Sequence, residues 1–86
     1  ILNNMDTNLL IKAILDIEQE RPENKYYVVN MIDIVCVKNS IIEYRVNIAS
    51  KMDPKWNIWY NSLYKIKIDD LLVYVRDERI NMILGN

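Results

Sequence analysis

The chain predicts an α+β domain in which a three-stranded antiparallel curved sheet packs on a C-terminal helix, with an extra helix at the N-terminus. Three observations carry this. Residues Tyr26 to Ala49 hold two β-patterned runs separated by a short polar turn. The segments before and after them have helical apolar spacing. A single domain is all that 86 residues allow.

Ile1 rather than Met opens the chain, so residues 1–5 are expected to be a leader or a fraying end, and 6–86 the domain. Over residues 6–20, Leu10, Ala13, Ile14 and Ile17 form an apolar stripe. Lys12, Asp16, Glu18 and Gln19 fall mostly away from it. Asp6 or Thr7 supplies an N-cap. Arg21-Pro22 stops the helix, because the residue before proline is pushed out of the α region.

Tyr26 to Val37 is too uniformly apolar for a strand with one wet face. Strict alternation gives it the faces Tyr27, Val29, Met31, Val35, Val37 and Tyr26, Val28, Ile32, Ile34, Cys36. Lys38-Asn39-Ser40 makes the turn, with Asn39 or Ser40 where glycine would sit more comfortably. Ile42, Tyr44, Val46 and Ile48 then alternate with Glu43, Arg45, Asn47 and Ala49, the mark of a half-buried strand. After a loop containing Asp53-Pro54, Trp56 to Leu63 reads as a shorter third strand.

The last helix spans about Ile68 to Leu84 and ends at Gly85, the only glycine. Ile68, Leu71, Leu72 and Val75 make one apolar face. Val73 and Ile80, with Leu84, make a second. Either the N-terminal helix covers that second face or another molecule does.

Composition excludes most chemistry. Eleven Lys and Arg stand against twelve Asp and Glu, for a net charge of −1, without the basic face that nucleic-acid binding requires. There is no His, and one Cys, Cys36, cannot build a metal set or an internal disulfide. One glycine rules out a glycine-rich phosphate loop. Asp69-Asp70 suits a helix N-terminus better than a catalytic pair. No apolar run is long enough to span a membrane. No enzyme activity, metal or cofactor is expected. The eight aromatic residues either fill a small core or hold a cation.

Tyr27-Val28-Val29-Asn30-Met31-Ile32 resembles the opening strand of a chromodomain (Tyr-x-Val-Glu-x-Ile/Val), and Ile42-Glu43-Tyr44-Arg45-Val46 the second (Val-Glu-Tyr-x-Val). Asn57 and Trp59 resemble the Asn-Thr-Trp of the third after one inserted residue, and the likeness extends from about Tyr26 to Met82. In a methyl-lysine reader the three cage aromatics would fall on Tyr27, Ile48 and Lys51, of which only Tyr27 is aromatic. Leu71 to Ile80 is similar to the Ile-Val-Ile-x-Phe-Tyr-Glu-Glu-Arg-Leu helix of the related chromoshadow domain.

That second resemblance implies a homodimer of a nuclear, heterochromatin-type protein, paired through Val73, Tyr74, Arg76, Asp77 and Ile80. It also implies a groove near Met82 and Ile83 for extended peptide segments of chromatin-associated proteins, with Met82 where the family has a Trp. Two alternatives remain open. One is a divergent chromodomain that binds a histone tail with Tyr27 as its remaining cage residue. The other is a monomeric structural domain of a larger or viral protein.

Overall fold

Apolar spacing, turn chemistry and one buried polar cluster set the architecture. The computed structural model describes residues 7–53 and 55–83, with side chains up to Arg76. The elements are helix α1 (Thr7–Gln19), a single 3₁₀ turn (Pro22–Asn24), strands β1 (Tyr27–Lys38), β2 (Ile41–Ser50), β3 (Asn57–Trp59) and β4 (Tyr64–Lys67), and helix α2 (Ile68–Ile83). This is the expected α+β order, with an antiparallel sheet between an N-terminal and a C-terminal helix. The expected leader, residues 1–5, and the Asp6 cap lie outside the described residues.

The β1–β2 hairpin dominates the sheet. Asn39 and Ser40 both take positive φ, 54° and 63°, which matches the right-handed twist of the flanking strands. Asn tolerates this region and Ser does so at some cost. The turn is held from outside as well, because the Ile68 amide donates to the Ser40 carbonyl at 2.9 Å.

The strand expected over Trp56 to Leu63 is reduced to Asn57–Trp59, and an unexpected fourth strand, Tyr64–Lys67, follows it. β3 pairs with β2 over Asn47–Ala49 and β4 pairs with it over Ile41–Tyr44. Between those ladders, residues 60–63 lie opposite only Arg45 and Val46. The surplus includes Asn61 and Ser62, residues that favour turns over ladders. The Tyr60 amide still donates to the Val46 carbonyl at 2.9 Å, so the break is a bulge and not a separate element.

β1 also departs from strict alternation. Its register against β2 shifts between Val29 and Met31 and again between Ile34 and Cys36. Each extra residue moves the following side chains to the other face. The core side of β1 is therefore Tyr27, Val29, Ile32, Ile34 and Val37, opposite Ser50, Ile48, Val46, Tyr44 and Ile42. Met31 and Val35, expected beside Val29, are half exposed.

The core joins Leu10, Ala13 and Ile14 of α1 to Val29 and Ile32 of β1, Ile42, Tyr44, Val46 and Ile48 of β2, and Leu71 and Val75 of α2. α1 is thus built into the core. Its C-terminal end differs from the sequence expectation, for Glu18 and Gln19 both turn inward. Glu18 is fully buried on the stripe of Ile14, four residues before it. Gln19 lies along the edge of β1, donating from Nε2 to the Tyr27 carbonyl at 2.9 Å and accepting from the Val29 amide at 2.8 Å. It satisfies the main-chain groups that a further strand would take.

Candidate functional site

Where β1 begins and β2 ends, the chain makes an open cleft of about 360 Å³ lined by Tyr27, Ser50, Asp53 and Trp56. Tyr27 is set opposite Ser50 by the strand register. The loop beyond Ser50 is then folded by short-range hydrogen bonds. Ser50 Oγ accepts from the Met52 and Asp53 amides at 3.1 and 3.3 Å. Asp53 Oδ1 accepts from the Lys55 amide at 3.2 Å. The Trp56 amide donates to the Asp53 carbonyl at 3.0 Å, and the Ser50 amide to the Trp56 carbonyl at 3.2 Å.

The outcome is an aromatic pair beside a carboxylate. The Tyr27 and Trp56 rings stand 6.1 Å apart at an interplanar angle of 27°. Asp53 is exposed at the mouth, and Trp56 keeps 41% of its surface open. Two π faces and one negative charge suit an organic cation. Among the described residues no group of His, Cys, Asp or Glu could hold a metal ion.

The positions assigned to the cage from sequence fall differently. Tyr27 is in the cleft. Ile48 is a core residue at 2% exposure and faces no ligand. Lys51 carries its ammonium away to the Lys25 carbonyl, 2.9 Å from Nζ. Trp56 and Asp53, which the family pattern does not single out, complete the site. The signal that could have found them was the tight Ser50–Trp56 loop, whose Ser and Asp side chains favour such turns.

The residues assigned to a dimer helix also separate. Val73 is 58% exposed and Arg76 is exposed, three residues apart on the outer face of α2. Tyr74 is half-buried and turns to α1, donating from its hydroxyl to Asp16 Oδ2 at 3.0 Å. α1 thus takes the Tyr74 and Val75 side of α2 and leaves Val73 uncovered. The side chains of Asp77, Ile80, Met82 and Ile83 lie outside those described.

A second polar cluster lies inside the fold. Glu18 accepts from the Tyr44 hydroxyl with one carboxylate oxygen and pairs with Arg21 Nε through the other at 2.8 Å. The Arg21 guanidinium also stands 5.5 Å from the centre of the Tyr64 ring. Asn24 is buried, donates to the Glu18 carbonyl at 2.8 Å and accepts from the Tyr60 hydroxyl. Burial, reinforced by Glu18, pushes the Tyr44 phenol well above its ordinary value. Burial moves Tyr60 and Tyr64 the same way. These contacts tie the end of α1 and the turn after it to β2 and the segment that follows β3.

No family model matches the chain, and no curated protein or solved structure matches it either.

Proposed function

We propose that this domain is a non-catalytic protein-interaction module of chromo type, which receives a cationic side chain of a partner protein against the open surfaces of Tyr27 and Trp56. The observation that carries this reading is the stacked Tyr27–Trp56 pair opening on Asp53. Methylated lysine fits the site best, since its bulky, weakly hydrated cation gains most from ring faces. The partner is then a histone-tail-like segment and the setting nuclear chromatin, as the strand patterns imply. Gln19 already occupies the main-chain groups of Tyr27 and Val29. The partner backbone therefore does not add as a strand there, and recognition rests on the side chain.

The test is an NMR titration with peptides carrying trimethyl-lysine or its uncharged tert-butyl isostere. The charged peptide is expected to shift the Trp56 indole and the Ser50 and Asp53 amides, and the isostere to bind far more weakly. Trp56→Ala should weaken the charged peptide by several-fold up to about thirtyfold, the range of a cation–π contact. Equal binding of both peptides would sink the reading.

A second reading, the chromoshadow-like homodimer, is favoured by Val73 alone. It is a large apolar side chain on the outer face of a helix whose inner face is already occupied by Leu71 and Val75. On this reading Val73 and Arg76 meet their copies across a two-fold axis, and Met82 and Ile83 border a peptide groove.

A further inference from the structure

We infer that two copies of this chain pair through the free edge of β1, antiparallel over residues 33–38, to make one continuous sheet. Among the described strands β1 pairs with β2 alone, so its other side is an edge of the sheet. Gln19 covers that edge at Tyr27 and Val29, and the Asn39–Ser40 turn ends it after Lys38. The stretch between is an edge strand of apolar character: Val35 is 50% and Val37 44% exposed, and Cys36 is exposed. Natural edges of this kind are blunted, covered or paired.

The occupant is set by the residues themselves. Read antiparallel to its own copy about the midpoint of Val35 and Cys36, the segment Asp33-Ile34-Val35-Cys36-Val37-Lys38 is self-complementary. Asp33 meets Lys38 of the other copy, Ile34 meets Val37, and Val35 meets Cys36, and symmetry repeats each pair.

Faces agree as well, and the bulge at Val35 is the reason. In a regular strand Asp33 and Lys38, five residues apart, would point to opposite faces. With the register shift between Ile34 and Cys36, Asp33 and Lys38 stand opposite Arg45 and Ile41 on the outer face. Ile34 and Val37 stand opposite Tyr44 and Ile42 on the core side. Directly opposed residues of an antiparallel pair must share a face, and Asp33 with Lys38 and Ile34 with Val37 do. The contact is isologous, so it closes at two copies.

Charge reversal tests the register. Solution mass would be followed by sedimentation across a concentration series for the whole chain and for Asp33→Lys, Lys38→Asp and the double exchange, with circular dichroism confirming that each is folded. A dimer is expected for the unaltered chain. Each single change should weaken it about tenfold, since two opposed like-charge pairs replace two attractive ones, and the double exchange should restore it. Val73→Glu and Trp56→Ala should leave this dimer intact, which separates it from the α2 interface and from the cation cleft. A monomer throughout, a dimer indifferent to charge reversal, or one lost with Val73→Glu would each overturn the inference.

Discussion

Glu18→Ala is expected to cost about 2–4 kcal/mol and to lower the denaturation midpoint markedly. The carboxylate is completely buried and connects two groups, Arg21 Nε at one oxygen and the Tyr44 hydroxyl at the other. Its removal leaves the buried Tyr44 hydroxyl without an acceptor and opens a small cavity, while the Arg21 side chain, 38% exposed, can turn to water. The whole stability of a domain this size is only roughly 5–15 kcal/mol. Urea titration followed by circular dichroism reads the loss directly. Glu18→Gln keeps the shape and one acceptor oxygen, and its cost should stay within about 1–3 kcal/mol. Equal, small effects for both variants would show that the cluster contributes little.

The same contact makes the domain sensitive to base. Folding raises the Tyr44 phenol above its ordinary value of 10.0, first by burial and then by the Glu18 carboxylate. A folded-state value above the unfolded one means that the native state holds its proton longer. The stabilisation is complete below the unfolded value and is lost as pH rises from there toward the folded one. Denaturation midpoints should therefore hold steady up to about pH 10 and fall beyond it. Tyr60 and Tyr64 shift in the same direction and add to the slope. Tyr44→Phe should start less stable, having orphaned one Glu18 oxygen, but decline less steeply. An identical slope in the variant would remove Tyr44 as the cause.

The element order was legible in the sequence because each element obeys its own local physics. Leu10, Ala13 and Ile14 repeat at helical spacing, Ile42 to Ile48 alternate, and Asn39-Ser40 is the only polar break between two apolar runs. What periodicity could not reveal were insertions of one or two residues. Asn30 and Val35 each add a residue to β1, so alternation counted from Val29 fails at Met31. Residues 60–63 separate β3 from β4 for the same reason. Glu18 and Gln19 read as water-facing residues of α1 because polar side chains favour solvent. Only the tertiary fold supplies Tyr44, Arg21 and the main chain of β1 as partners. Of the candidate site, Tyr27 was legible from the strand pattern, whereas Trp56 reaches it through a loop whose Ser50 and Asp53 signal turns but not where those turns aim the ring.

Deletion of residues 1–20 is expected to abolish folding altogether. A helix appended to a complete sheet-and-helix domain could be removed with little effect, and the chromo pattern places none there. Here α1 inserts Leu10, Ala13 and Ile14 among Ile42, Tyr44, Val46 and Leu71, and Ile14 has no solvent exposure. Burying each of its larger apolar side chains stabilises by about 1.5–3 kcal/mol. Losing the helix also strands Tyr44 and Arg21 and frees the edge of β1 at Tyr27 and Val29. Together these exceed what a small domain has to spare. Ile14→Ala is the gentler probe, costing about 2–5 kcal/mol if the helix is integral. A ¹H–¹⁵N correlation spectrum of the shortened chain distinguishes the cases. Narrowly dispersed amides are expected. Dispersed, native-like peaks would mean that β1 to α2 folds alone and that α1 is an addition to it.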